Sequence, residues 1–151
     1  MSDTTTAPAA ADAATQAALE RLNTVIDRLI APDGCPWDST QTPESLTEYV
    51  IEECHELVDA IRSGKTADMV EELGDVAFLI LMIGKLMARA GGPSLADALE
   101  VEAAKMVRRH PHVFSDTTYE NQSEQLKDWD RIKREEKAAA DAEGPKGTYD
   151  S

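Results

Sequence analysis

Five carboxylates on two neighbouring segments are the side chains of this sequence best suited to chemistry. Three lie in IEECHELVDA and two in EELGDV, and they are Glu52, Glu53, Glu56, Glu72 and Asp75. Hard divalent cations such as Mg²⁺ and Mn²⁺ prefer carboxylate oxygens as ligands. Since the nearby basic residues Arg62 and Lys65 lie beyond the first segment, the acids indicate a site for Mg²⁺, with Mn²⁺ as a possible substitute.

Two predicted helices must position these acids. At about 100° per residue, Glu53 falls inside the apolar arc of its helix, and Glu56 and Glu52 lie further round on one flank. That arc consists of Leu46, Tyr49, Val50, Leu57, Ala60 and Ile61. Glu72 and Asp75 share a face that continues down the next helix as apolar residues. Both groups of acids are therefore expected to border the packed interior.

An alternative reading gives these acids no functional role. Each could pair with a Lys or Arg from another helix or lie on an exposed flank, as we expect for Asp59 and Glu71. Ionised carboxylates that stay uncompensated in an interior cost several kcal/mol each. The occurrence of acids on two core-continuous faces favours the metal site.

Two other metal sites fit the sequence poorly. Glu52 and His55 have the Glu-x-x-His spacing of di-iron bundles, but such bundles need the motif on two helices and this sequence has it once. A zinc site from Cys35, His110 and His112 matches no standard ligand spacing and lacks a fourth ligand.

Composition predicts an all-helical protein and excludes several functional classes. Helix-favouring Ala, Leu, Glu, Lys, Met and Arg are plentiful and runs of β-branched residues are scarce. A net charge of −14 argues against binding a nucleic acid polymer, which requires an excess of Lys and Arg. The longest apolar run, 76–83, is far shorter than the roughly 20 residues that span a bilayer. With no secretory leader and two cysteines in different settings, we expect a cytoplasmic protein without disulfides.

Periodicity and turn residues divide the sequence into five helices. We expect a disordered tail over 1–15, a single domain over 16–140, and a flexible tail over 141–151. The predicted helices span about 15–30, 43–63, 66–90, 95–109 and 123–143. Short connections between long helices predict antiparallel neighbours in a bundle.

The acidic pattern resembles the E-E-x-x-E … E-x-x-D signature of MazG-type nucleoside triphosphate pyrophosphohydrolases. Further stretches occur in the order and approximate spacing of that family. They are GCPWDSTQT (34–42), EELGDV (71–76), KMVRRHPHVF (105–114) and WDRIKREEK (129–137). The resemblance covers about residues 18–140, which is most of the chain.

The resemblance implies a fold and an activity. The fold would be a four-helix-type MazG bundle with an additional C-terminal helix, assembled as an intertwined homodimer or a dimer of dimers. The activity would be Mg²⁺-dependent hydrolysis of nucleoside triphosphates, including deoxy and aberrant ones, to monophosphate and pyrophosphate, as in house-cleaning of the nucleotide pool. Glu53, Glu56, Glu72 and Asp75 would hold the metal, and Glu52 would be a ligand or the base that orients water, so that Glu52 and Glu53 would be catalytic.

The resemblance also implies a set of substrate-binding residues. The family's basic motif falls on Lys105, Arg108, Arg109 and His110, which would contact the phosphates. Basic residues at a helix C-terminus are also favoured by the helix dipole alone. The residues implied to contact the nucleotide are Trp37, Trp129 and Lys133, although Trp37 could instead pin its loop.

Two departures from the family leave alternatives open. Many MazG proteins carry two related domains, whereas this sequence has one, which matches the first. The end, EGPKGTYDS, stops before a segment with which many relatives continue, as a truncated chain would. A catalytically weak nucleotide-binding or regulatory module of a larger MazG protein is therefore the alternative, and a phosphohydrolase acting on another pyrophosphate-containing metabolite is a third.

Overall fold

The computed structural model describes residues 6–142, with side chains from Ala10 onward. This range is helical without strands, which confirms the predicted all-α class. The α-helices are α1 (Thr6–Leu29), α2 (Thr47–Ser63), α3 (Thr66–Arg89), α4 (Leu95–Arg109), α5 (Pro111–Phe114) and α6 (Gln122–Ala142). Short 3₁₀ turns occupy Asp38–Thr40 and Glu44–Leu46. The helices belong to two compact units that divide between Leu95 and Ala96.

The helix boundaries differ from the predicted ones mainly at the N-terminal side of helices. α1 begins at Thr6, so the predicted disordered tail is helical from there on, because its alanines have the highest helix propensity. A 3₁₀ turn occupies Glu44–Leu46 where α2 was predicted to have begun already. The short helix α5 lies in a predicted loop. Of the predicted C-terminal tail, 141 and 142 are helical, and the remainder falls outside the described residues.

The connection between α2 and α3 is short because Gly64 ends α2 sharply. Gly64 has a φ of 71°, and its N–H donates to the carbonyl oxygen of Ile61. A glycine adopts this left-handed conformation without the strain that a Cβ would cause. α3 begins two residues later at Thr66, so the two helices that carry the acids pack against each other as neighbours.

The first unit is built around side chains from α1, α3 and the turn before α2. Ile26, Leu46 and Met82 are fully buried. The other members of this core are Ile30, Leu79, Leu81 and Leu86. The apolar arc predicted for α2 is not buried along its whole width. Ile61, one of its members, is 57% exposed, because the helices of this unit cover only one side of α2.

The loop between α1 and α2 is held by contacts from α3. Arg89 donates from Nη1 to the carbonyl oxygen of Ile30 at 2.9 Å and from Nη2 to that of Ser39 at 3.3 Å. At the start of the loop, a Cβ on Gly34 would lie 2.3 Å from the carbonyl oxygen of Leu29, a distance that no other residue type tolerates. These contacts position Trp37, which lies within this loop.

Candidate functional site

Three acids from α2 and α3 converge in the first unit. Glu53 and Glu56 lie one turn apart on α2, and Glu72 reaches them from the first half of α3. Each contributes a carboxylate oxygen, and the three oxygens lie within 4.8 Å of one another. In the part of the chain that the structure describes, this is the one such grouping of acidic, His or Cys ligand atoms. The structure thus brings together three of the four predicted metal ligands.

Two of these carboxylates keep a buried oxygen without a hydrogen-bond partner. The oxygens are Oε2 of Glu53 and Oε2 of Glu72. Leaving a buried polar atom unpaired costs about 1–3 kcal/mol, and more for a charged group. None of the ion pairs among residues 10–142 involves any of the five predicted acids. These acids therefore lack the internal cation that the non-functional reading requires.

Mutual repulsion and burial act on these carboxylates in the same direction. Burial raises the pKa of Glu53, and the charges of Glu56, Asp75 and Glu52 and a hydrogen bond with Glu56 raise it further. Burial likewise raises the pKa of Glu72, with added repulsion from Glu56 and Asp75. A divalent cation would relieve this repulsion and satisfy both unpaired oxygens. The residues present therefore fit a Mg²⁺ or Mn²⁺ ion.

Asp75 and Glu52 lie beside this group of three. Both side chains are exposed, and the charge of Asp75 raises the pKa of both Glu53 and Glu72. The acids that we expected to be surface residues are so: Glu71 is exposed, and Asp59 forms an exposed ion pair with Arg62.

An aromatic cavity of about 200 Å³ adjoins the carboxylates. Three aromatic residues, two acids and two leucines line it: Trp37, Tyr49, Phe78, Glu53, Asp75, Leu46 and Leu79. The Trp37 and Tyr49 rings meet edge to face with centroids 5.7 Å apart. Sequence reasoning did not connect Tyr49 and Phe78 with the acids, although Tyr49 precedes Glu53 by four residues and Phe78 follows Asp75 by three. That helical spacing was the available signal.

The predicted basic residues lie in the second unit, where three of them form hydrogen bonds or ion pairs with glutamates. Glu136 accepts from Nε of Arg108 at 2.6 Å and from Nη2 of Arg109 at 2.7 Å. The hydrogen bond from Arg109 is the largest cause that lowers the pKa of Glu136, and the bond from Arg108 adds to it. Lys105 forms an ion pair with Glu102 one turn earlier.

Trp129 contacts two residues of the basic motif, His110 and Arg109. The His110 ring meets the Trp129 ring edge to face at a centroid distance of 4.8 Å, and the Arg109 guanidinium carbon lies 5.9 Å from the Trp129 ring centroid. His110 Nδ1 lies 2.6 Å from the carbonyl oxygen of Met106, which fixes the ring. Lys133 is exposed on α6.

Comparison with known proteins agrees with these features. Residues 41–114 match the MazG nucleotide pyrophosphohydrolase domain. Over 121 residues the chain is 40% identical to the nucleoside triphosphate pyrophosphohydrolase of Escherichia coli K12, covering 80% of this chain and 46% of that protein. The chain contains a MazG domain. The match to the domain includes all five acids and the basic motif, and it crosses the boundary between the two compact units.

Two further relatives are also similar to most of this chain. The nucleoside triphosphate pyrophosphohydrolase/pyrophosphatase MazG of Thermotoga maritima is 39% identical over 118 residues, which are 78% of this chain and 45% of that protein. The uncharacterized protein YabN of Bacillus subtilis is 42% identical over 118 residues, 78% of this chain and 24% of that protein. The chain therefore spans less than half the length of these curated relatives.

A solved structure supports the MazG fold. The crystal structure of a mazG-related protein from Thermotoga maritima superposes with a TM-score of 0.64 at 29% identity, covering 76% of this chain and 98% of that one. Among the described helices, none is both long and apolar enough to cross a membrane.

Proposed function

We propose that this MazG chain hydrolyses nucleoside triphosphates, deoxy and aberrant ones included, to the monophosphate and pyrophosphate. The reaction depends on Mg²⁺, with Mn²⁺ as a substitute, and serves house-cleaning of the nucleotide pool in the cytoplasm. The observation that carries the proposal is the group of three mutually repelling carboxylates on α2 and α3, with two buried oxygens unpaired. Its support from relatives is that several are named nucleoside triphosphate pyrophosphohydrolases.

Each acid has a distinct role in this proposal. Glu53, Glu56, Glu72 and Asp75 hold Mg²⁺, which when bound neutralises phosphate charge and lowers the pKa of water. Glu52 lies outside the group of three and is exposed, so its carboxylate remains available to orient the attacking water and accept its proton. Glu53 is assigned a catalytic role because it both belongs to the proposed metal ligands and lines the adjoining cavity.

In this proposal the basic residues of the family motif bind phosphate oxygens of the substrate. The bond to Glu136 uses Nε of Arg108 and does not occupy its two Nη nitrogens, and the Arg108 side chain is 54% exposed. Guanidinium groups bind phosphate oxygens in pairs. The proposed substrate-binding residues are Lys105, Arg108, Arg109, His110, Trp37, Trp129 and Lys133. The partner is a free nucleotide, and we expect neither a nucleic acid polymer nor a membrane to bind.

We also propose that two copies of the chain associate through α2 and α3. Each helix exposes an apolar strip at helical spacing, Ile51, Val58 and Ile61 on α2 and Val70, Leu73 and Ile80 on α3. Aligned strips of this kind mark interaction surfaces, whereas scattered apolar residues do not. Because the strips carry no charge, two chains of net charge −14 can meet there without opposing carboxylates. Sedimentation should give a dimer or tetramer mass that Leu73→Glu lowers, and a monomer mass at every concentration contradicts this assembly.

Product analysis tests the proposed reaction. Ribo-, deoxyribo- and modified triphosphates are incubated with the chain, with and without Mg²⁺, and pyrophosphate and orthophosphate are measured separately. We expect pyrophosphate only with Mg²⁺, and its loss in Glu72→Gln with unchanged circular dichroism. Orthophosphate release indicates that another bond is cut. Tight nucleotide binding without turnover indicates the regulatory module instead.

A further inference from the structure

We propose that Glu136 is a positioning residue for phosphate binding: its carboxylate holds the guanidinium groups of Arg108 and Arg109 and leaves their remaining nitrogens free for phosphate oxygens. This inference rests on the proposed function, in which these two arginines bind phosphate. It adds a residue that acts through them without touching the ligand. All three residues belong to the second unit.

One carboxylate bridges two consecutive arginines. Oε1 of Glu136 accepts from Nε of Arg108 at 2.6 Å. Oε2 accepts from Nε and Nη2 of Arg109 at 3.1 and 2.7 Å. The arginines end α4, whereas Glu136 lies in α6. Because each guanidinium group is bound to a different oxygen of the same carboxylate, Glu136 fixes the orientation of both side chains at once.

The nitrogens that Glu136 does not use are suited to phosphate. Its bonds leave both Nη nitrogens of Arg108 and Nη1 of Arg109. The two Nη nitrogens of one guanidinium group form a planar fork that matches two phosphate oxygens. A carboxylate that competed with phosphate would occupy this fork, as Glu135 does in part when it accepts from Nη1 of Arg131. Glu136 instead holds Arg108 from the side.

The bridge is anchored at its inner end and accessible at its outer end. The side chains of Glu136 and Arg109 are each 19% exposed, whereas that of Arg108 is 54% exposed. The arginines lower the pKa of Glu136 through hydrogen bonds, that from Arg109 being the largest cause, so the carboxylate is ionised at neutral pH. Ordering a long side chain before the ligand arrives is worth about two- to tenfold in affinity.

A positioning role and a simple charge effect predict changes of opposite sign. The negative charge of Glu136 repels phosphate, so its loss alone should tighten binding, by at most about fivefold for partly exposed groups. Glu136→Gln also removes one of the two acceptor oxygens and puts a donor NH₂ group in its place. The new side chain can therefore hold only one guanidinium group, and the other loses its fixed orientation, which should weaken binding.

Equilibrium binding of inorganic tripolyphosphate tests this role. Calorimetry with Mg²⁺ should show binding to Glu136→Gln about three- to tenfold weaker than to the wild-type chain, since phosphate must then order the released side chains. Circular dichroism confirms that the variant is folded at the temperature used. Glu135→Gln is the matched control, because it removes the same charge from the next residue, which pairs with Arg131. Its affinity should stay within about twofold of wild type or tighten.

The arginines provide the second arm of the test. In a chain with Arg108→Gln and Arg109→Gln, which by itself should bind tripolyphosphate more weakly than wild type, Glu136→Gln should cause no further weakening. The reason is that a positioning residue acts only through the groups that it holds.

The outcomes separate this inference from the proposed reaction. Unchanged or tighter binding in Glu136→Gln overturns it, as does an equal weakening in Glu135→Gln or in the chain without the arginines. If the two arginine changes leave tripolyphosphate binding unaffected, the proposed phosphate contacts fail together with this inference. Pyrophosphate release tests the reaction itself, and its presence or absence does not alter how these affinities are interpreted.

Discussion

Glu53 on α2 and Glu136 on α6 are both partly buried glutamates, yet their surroundings shift their pKa values in opposite directions. Burial and neighbouring acids raise the pKa of Glu53, whereas hydrogen bonds from Arg109 and Arg108 lower that of Glu136. Glu136 has its counter-charges within the protein, and Glu53 has none among the described residues. The comparison teaches that two glutamates with similar burial differ in what they need: Glu136 is compensated by arginines within its own unit, whereas Glu53 and its acidic neighbours would be compensated by a cation.

Removing one charge from the acidic centre should have the largest effect on activity. We expect Glu53→Gln to lower kcat for pyrophosphate release by about 10²- to 10⁴-fold, because it weakens the hold on a metal ion whose charge stabilisation is worth several kcal/mol. In metal-free buffer at neutral pH the same change should leave the melting temperature unchanged or raise it, because it removes repulsion. Asp59→Asn, at an exposed position on the same helix, serves as the control and should alter neither quantity. A large fall in the melting temperature of Glu53→Gln would show that Glu53 is structural, like Glu136.

Metal binding should stabilise the acidic centre and leave the paired acids unaffected. An ion that binds only the folded state contributes about 2.7 kcal/mol at a concentration 100 times its Kd. We expect Mg²⁺ to raise the melting temperature of the wild-type chain, EDTA to reverse this, and Glu56→Gln to abolish most of the shift. Glu136→Gln should retain the full shift relative to its own metal-free melting temperature. An equal Mg²⁺ response in Glu56→Gln would contradict the proposed ligand set.

Breaking the paired acid should cost stability. Glu136→Gln removes the charge that two arginines share, and the side chains of Glu136 and Arg109 are each 19% exposed. We expect a loss of about 1–2 kcal/mol in urea unfolding, between the values for exposed and buried pairs. Its matched control is Glu135→Gln, because Glu135 pairs with Arg131 at an exposed position and should lose no more than about 0.5 kcal/mol. Equal losses in both variants would mean that the partial burial of Glu136 has no effect.

The two glutamates should respond oppositely to pH, with the smallest effects of the series. The pKa of Glu136 is lowered in the folded state, so its contribution is present above the ordinary value of 4.5 and is lost as the pH falls through the folded pKa. The pKa of Glu53 is raised, so its protonated form stabilises the metal-free chain at low pH, and this is lost as the pH rises through the folded pKa. Unfolding of wild type and variants at several pH values should show the cost of Glu136→Gln shrinking at low pH. The relative gain of metal-free Glu53→Gln should grow toward neutral pH.

Local sequence patterns predicted much of the fold. Gly64 and the Gly91–Gly92 pair ended α2 and α3 as expected, because turn chemistry acts over a few residues. The start of α1 was predicted too late, since its alanines favour a helix without any apolar periodicity. Ile61 was expected to be buried and is exposed, because a helical arc does not reveal how many neighbours will cover it.

For the candidate site too, local sequence patterns predicted some features, and others depend on the tertiary structure. Residue type and helical spacing predicted that Glu53, Glu56, Glu72 and Asp75 border the interior, and the family resemblance implied their role. The spacing also connects Tyr49 with Glu53 and Phe78 with Asp75, but it does not show that Trp37 completes a cavity with them. The pairing of Arg108 and Arg109 with Glu136 likewise joins residues 27 and 28 positions apart, beyond the reach of any periodicity.

The sequence by itself determined the helical class, most helix boundaries, and an excess of carboxylates on two apolar-facing helices, because these follow from propensity and period. Only the tertiary structure decided which carboxylates meet within 4.8 Å, which arginines are already paired, and where an aromatic cavity forms. The physical reason is that propensity and periodicity act between neighbours along the chain. Charge compensation and cavity formation depend instead on distances between side chains that the packing of α1, α2 and α3, or of α4 and α6, brings together.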